Sequence, residues 1–349
     1  MKNNWVKDCV ITVCICAVFL LIFFAARNSY VPKNEDIHET AQTIIQAVRA
    51  GHHFFVIHNE KPTMPDLIDL IYDDESLFGI HGTHLLFSFG NFHLLLIRNY
   101  CRNTDAAREE IDAVADSVIA GIDEDLSEYE KVLAVHDWIC QNVTYETLED
   151  HSDQDIRGVF LYKKAVCSGY AKAFSYLLNK LNIRSSTVGG FSTIDVKNTE
   201  KESRHLWNLA YIDGQPYYFD VTWDDSSSGA PLYEWFGMTA EQCQESHRLR
   251  EGYEWADATS TEGYYYIHNG SYVSQYSAAS LSEQFAQLGN KFTLKCKDAA
   301  VMQDVLDALH TPKELNKILY EAGIENCKGL QVTTIAEYSL IDIEIIFNE

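Results

Sequence analysis

Apolar positions along this chain recur with a period near 3.6 in some stretches and in short uninterrupted runs in others, and the changes divide it into three parts. In residues 38–50 Ala41, Ile44, Ile45 and Val48 fall three and four apart, which predicts an amphipathic helix. Residues 54–58 form an apolar run of strand length, and a second helix is predicted over 64–72. Residues 85–89 and 93–97 flank Gly90-Asn91 as a hairpin. The same order returns near the C-terminus. Residues 284–309 align with 46–71 without gaps at an offset of 238, with identical pairs at Gln46/Gln284, Gly51/Gly289, Phe54/Phe292, Met64/Met302, Asp66/Asp304 and Asp69/Asp307. Strands are expected after each copy, over 85–97 and 332–347. Six identities in 26 positions fit either a duplicated α-β-α-β-β module or chance.

The middle third reads differently. A helix over 105–121 carries Ile111, Val114, Ala115 and Val118 in one stripe. A second, over 127–143, opens with Ser127 and Glu130 in capping-box spacing and turns Val132, Val135, Trp138 and Ile139 to one face. Cys167 heads a third helix, with Ala171, Phe174, Leu178 and Leu181 at helical spacing. Strands are predicted over 187–191, 206–212 and 217–223, the last two joined at Asp213-Gly214. Helices in one block and strands in the next predict an α+β core. Farther on, Tyr264, Tyr265, Tyr266, His268 and Tyr272 suggest a hairpin about Asn269-Gly270, with an aromatic sheet face.

Residues 9–26 are an uncharged apolar run. As a helix they would span about 27 Å, close to a bilayer's hydrocarbon core. A cleaved leader is the rival, but its apolar stretch is shorter, and Phe23 or Phe24 occupies the −3 position for cleavage after Ala25 or Ala26. An uncleaved single-pass anchor with the rest of the chain outside the cell is therefore expected. The chain of 349 residues has 51 acidic against 27 basic side chains, a net charge of −24, which argues against a nucleic-acid partner. Its 46% hydrophobic content predicts a folded protein with a sizeable core. The nine cysteines are dilute and lack a CxxC pair, so neither a disulfide scaffold nor a zinc knuckle is expected.

Three segments carry candidate chemistry: Ala165 to Ala171 around Cys167-Ser168-Gly169-Tyr170, His205-Leu206-Trp207-Asn208, and Asp220-Val221-Thr222-Trp223-Asp224-Asp225. A nucleophilic thiol must be ionised, and a helix N-terminus offers free N–H groups and partial positive charge. A two-residue turn at Asp213-Gly214 sets His205 opposite Thr222 and Trp207 opposite Asp220. Asp220 is then a diagonal neighbour of His205 on the same sheet face, within reach of one imidazole nitrogen while the other faces the thiol. Asp224 and Asp225 read as a solvated turn, since no cation-loop spacing follows, and the histidines between His38 and His93 lack a helical ligand pair.

In that order the three motifs resemble the core of the transglutaminase-like superfamily, over roughly residues 127–240, with outer thirds loosely similar to flanking regions of membrane-anchored bacterial members. One departure is Ala165, where relatives often carry Gly. The resemblance implies a papain-like Cys-His-Asp arrangement, with Cys167 as nucleophile, His205 as general base and acid, and Asp220 as the orienting carboxylate. Tyr170, Trp207, Asn208 and Trp223 are candidates to line the substrate groove, with core packing as the rival reading for the aromatic ones. The expected architecture is α+β: an anchor at 9–26, an α/β module over 35–104, a papain-like core of helices on an antiparallel sheet over 105–240, and a second α/β module over 263–349. The expected activity is acyl transfer through a Cys167 thioester, hydrolysing protein or peptide amides, with cross-linking of glutamine to amines or a catalytically silent scaffold as rivals. Neither cofactor nor metal is required by that chemistry.

Overall fold

A computed structural model describes residues 30–31, 36–58, 64–73, 80–99, 104–193, 202–225, 230–250 and 253–348. The expected anchor at 9–26 lies outside them, and among the described residues no helix is long and apolar enough to cross a membrane.

The first part holds β1 (Tyr30–Val31), α1 (Ile37–Arg49), β2 (Phe54–His58), α2 (Met64–Asp73), β3 (Ile80–Phe89) and β4 (Phe92–Asn99). Asp36 caps α1 by accepting from the His38 and Glu39 amides. The predicted stripe Ala41, Ile44, Ile45 and Val48 packs with Phe55, Ile57, Leu67 and Ile71.

The middle part begins with α3 (Thr104–Ala120) and α4 (Glu128–Asn142), the latter opened by a complete Ser127–Glu130 capping box. Short β5 (Thr144–Tyr145) and β6 (Lys164–Ala165) pair in parallel and deliver the chain to α5 (Cys167–Lys180). Then come β7 (Ser185–Ser192), β8 (Ser203–Ile212), β9 (Gln215–Phe219), α6 (Val221–Asp224), β10 (Phe236–Met238), α7 (Ala240–Gln244) and β11 (His247–Leu249). The five strands form one antiparallel sheet in the order β10-β9-β8-β7-β11. Phe174, Leu177 and Leu178 of α5 are fully buried with Phe219, Ile139 and Val135, each such side chain contributing about 1.5–3 kcal/mol.

The β8–β9 register is the predicted one, with Ile212 opposite Gln215 and Asn208 opposite Phe219. The strand expected over 217–223 nevertheless ends at Phe219. Asp220 takes the N-cap of α6 instead, because its carboxylate satisfies the amides of Thr222 and Trp223.

The last part contains α8 (Tyr265–His268), β12 (Tyr272–Val273), α9 (Ala278–Leu288), β13 (Lys291–Cys296), α10 (Ala299–His310), α11 (Pro312–Glu321), β14 (Cys327–Ile335) and β15 (Leu340–Phe347). The hairpin expected about Asn269-Gly270 is absent: its first arm is the helical turn α8, and β12 pairs in parallel with β13. Tyr264 and Tyr266 are buried rather than arrayed on a sheet face. The two outer sheets share one plan. Their orders are β1-β2-β4-β3 and β12-β13-β15-β14, and in each the first pair is parallel and the other two antiparallel. Phe54 and Phe292, paired by the sequence offset, open β2 and stand second in β13. The two-residue β1 and β12 are too short to leave a hydrophobic period.

Candidate active site

The start of α5 is fixed by close packing. At Gly169 a Cβ would lie 2.4 Å from the Asp153 carbonyl oxygen and 2.8 Å from the Ala165 side chain, so the helix can seat there only without one. Val166 N–H bonds the Asp153 carbonyl, and Cys167 follows as the first helical residue. From the sheet side, Asn208 donates to the Ala171 carbonyl at 2.8 Å and the Ser175 hydroxyl at 2.9 Å, clamping β8 to α5. The clamp sets the His205 end of β8 beside the thiol.

His205 Nε2 lies 2.6 Å from Asp220 Oδ2, and Cys167 shares a cavity wall with the same ring, close enough to raise its pKa. With Nε2 committed to the carboxylate, Nδ1 is left to serve the sulfur. Burial opposes charge on His205, but the Asp220 carboxylate and then Cys167 outweigh it, and its pKa rises to about 10. Asp220 is fully buried; burial pushes its carboxyl up, yet the His205 and His247 imidazoles hold it far below the carboxylate range.

Cys167 is half-buried and His205 lines with it a cavity of about 780 Å³. Tyr145, Arg204, Trp223, Asp225 and Glu337 form other parts of its wall. Glu337 comes from the turn Ala336–Tyr338 between β14 and β15, so the last module supplies part of the rim. A second cavity of about 480 Å³ shares Trp223 and Glu337 with the first.

Of the four expected groove residues, Trp223 lines the cavity. The other three do not line it, because each side chain is consumed by packing. Tyr170 is buried with its hydroxyl 2.5 Å from Asp225, Trp207 is a buried plate beside the His205 ring, and Asn208 is the clamp. The solvated turn expected at Asp224-Asp225 is also corrected. Asp224 is fully buried, accepting from the Trp235 amide at 3.0 Å and lying 3.1 Å from His136 Nε2.

His247 is a site residue that sequence reasoning missed. Its Nε2 is 2.9 Å from the same Asp220 Oδ2 that holds His205. A lone histidine 42 positions beyond His205 gives no signal in spacing, because its arrival depends on β11 pairing with β7. Among the described residues, His205, Asp220 and His247 are the one group of three with ligand atoms close enough for a metal. Their atoms stand at direct hydrogen-bond distances, which makes them an imidazole–carboxylate–imidazole chain.

The sequence profile of the transglutaminase-like superfamily matches residues 112–223. Kyphoscoliosis peptidase of Homo sapiens is 28% identical over 133 residues, and that of Mus musculus 29% over 134. Each match covers 33% of this chain and 20% of the relative, so the chain spans about a fifth of the length of these curated relatives. A solved structure from Cytophaga hutchinsonii is similar at 19% identity over 42% of this chain and 70% of that one, with a TM-score of 0.26. A structure of a TGase is similar at 15% identity over 56% of this chain and 59% of that one, with a TM-score of 0.28. Through its middle third, residues 112–223, this chain is similar to the transglutaminase-like superfamily.

Proposed function

We propose that the middle third is a cysteine enzyme that cleaves protein or peptide amides by acyl transfer through Cys167. The observation carrying this reading is that Cys167 and His205 share the wall of one cavity, with the buried Asp220 holding the His205 ring. In it the Cys167 thiolate attacks the amide carbonyl carbon, and the imidazolium of His205 gives its Nδ1 proton to the departing amine as the C–N bond breaks. Water then attacks the thioester carbon, His205 takes its proton, and the C–S bond breaks to release the acid and restore the thiolate beside the imidazolium. The Cys167 N–H, in the first turn of α5 where amides have no intrahelical acceptor, is the candidate oxyanion donor. Asp220 orients the ring and sustains its charge.

Hydrolysis is favoured over cross-linking because the thiol is partly exposed to water, and because the curated relatives are named peptidases. Residues 9–26 are proposed to hold the enzyme at the outer face of a membrane, on the strength of their uncharged apolar run. Iodoacetamide at neutral pH should label Cys167 well before the buried Cys140 and Cys243. Equal slow labelling of all three sinks the reading in favour of a silent scaffold. With a glutamine peptide and a labelled amine, incorporation means transfer, whereas cleavage or ammonia alone means hydrolysis. Protease added to intact cells should remove the chain beyond Arg27; full protection refutes the outer location.

A further inference from the structure

We infer that His247 is a positioning residue of this site: by donating to the carboxylate oxygen that holds His205, it fixes Asp220 and limits the charge Asp220 lends to the His205 ring. The inference rests on Cys167, His205 and Asp220 acting as proposed above.

The carboxylate of Asp220 has donors on both oxygens. Oδ1 accepts from the amides of Thr222 at 3.1 Å and Trp223 at 3.3 Å, while Oδ2 faces His205 Nε2 at 2.6 Å and His247 Nε2 at 2.9 Å. His247 is only 3% exposed, between the rings of Trp207 and Trp223, each 4.7 Å away by centroid. Its Nδ1 lies 2.8 Å from the Ser246 hydroxyl. Since Nε2–H is spent on Asp220, a neutral ring accepts the Ser246 proton at Nδ1, and this polarises the ring into a better Nε2 donor.

Two imidazoles 5.6 Å apart on one carboxylate cannot both be charged without strong repulsion. Burial, and then His205, hold His247 below its ordinary pKa against the pull of Asp220. The proton therefore resides on His205, which also has the sulfur beside it. The ionisable groups facing this cluster are Cys167 from α5, Asp224 from α6, Cys243 from α7 and Tyr145 from β5. Arg204, Asp225 and Glu337 stand around the cavity. None of these competes for Asp220 Oδ2 as His247 does. Without His247 the carboxylate serves His205 alone, so His205 keeps its proton to higher pH.

The test is the rate of Cys167 alkylation by iodoacetamide in the full chain, read by peptide mass from pH 4 to 11. Wild type should show an inflection as His205 loses its proton. His247→Leu should move that inflection up by about 0.5–1 pH unit. His247→Gln, whose amide N–H can replace Nε2–H, should return it, and Ser246→Ala should give a smaller upward shift. A wild-type profile in His247→Leu, or no rescue by His247→Gln, overturns the inference. Should His247→Leu unfold, seen as labelling of Cys140 and Cys243, a Ser246→Ala profile identical to wild type overturns it. A wild-type profile that lacks the His205 inflection altogether defeats the enzyme reading as a whole.

Discussion

At the scale of single residues, Asp220 carries the largest share of the site. Its two oxygens meet two amides and two imidazoles in a fully buried position. An amide in its place offers one acceptor oxygen and an NH₂ that opposes the remaining donors. If the site works as proposed, Asp220→Asn should therefore lower kcat/KM on the order of 10³–10⁴-fold on an amide substrate. It should also cost about 3–5 kcal/mol in urea unfolding, as loss of one partner from a buried charge network does. The pair also predicts a pH window. His205 is raised from 6.5 to about 10 in the fold, so its contribution is complete below 6.5 and is lost as pH climbs through about 10. Asp220 is depressed from 3.8, so its contribution is present above 3.8 and lost as pH falls through the folded value. The Tm gap between wild type and His205→Asn should be widest between these limits and narrow toward pH 10; a gap that is constant with pH contradicts the pairing.

At the scale of elements, strand β11 matters more than its three residues suggest. It reaches β7 because Gly190 has no side chain: a Cβ there would stand 2.2 Å from the Arg248 carbonyl oxygen and 2.7 Å from the Trp207 ring. The first obstacle is backbone and cannot swing aside. Gly190→Ala should push β11 off the edge, costing about 1–3 kcal/mol in urea unfolding and withdrawing His247 from Asp220. Its alkylation profile should then resemble that of His247→Leu. On the other side of the site, α6 is held down by Asp224, whose buried contacts with His136 of α4 and the Trp235 amide keep Asp220 at the helix start. The Asp224–His136 pair thus supports the Asp220–His205 pair.

At the scale of the whole molecule, the last module is joined to the core at the cavity rim. Lys295 of β13 contacts Glu234 at 2.5 Å and the Tyr338 carbonyl at 2.7 Å, and Tyr338 packs edge-on against Trp235. These contacts place the turn that brings Glu337 to both cavities. Burial pushes the Glu234 carboxyl up to about 7 despite Lys295. Lys295→Met leaves that group buried without its partner, and should cost about 3–5 kcal/mol where it is ionised. Because Glu234 can escape the penalty by taking a proton, the loss should be smaller at pH 5 than at pH 8. Urea midpoints at the two pH values check the sign, and equal losses refute it.

What the amino-acid sequence determined by itself is what neighbours in the chain decide. The stripes of α1, α3, α4 and α5, the Ser127–Glu130 cap and the Asp213-Gly214 hairpin depend on spacings of a few residues, so they are visible before folding. The order of Cys167, His205 and Asp220 is likewise written in local motifs with their own Trp and Asn residues. Tertiary structure alone decided which face of each element met another. Asp220 became a helix cap rather than a strand residue because two amides needed an acceptor. Asn208 and Tyr170 were taken up by the core around α5, while Trp207 packs in a separate cluster with Tyr218, Met238 and Cys243. His247 and Glu337 came to the site from a late edge strand and a distant turn, since strand pairing and module docking join segments with no relation in sequence.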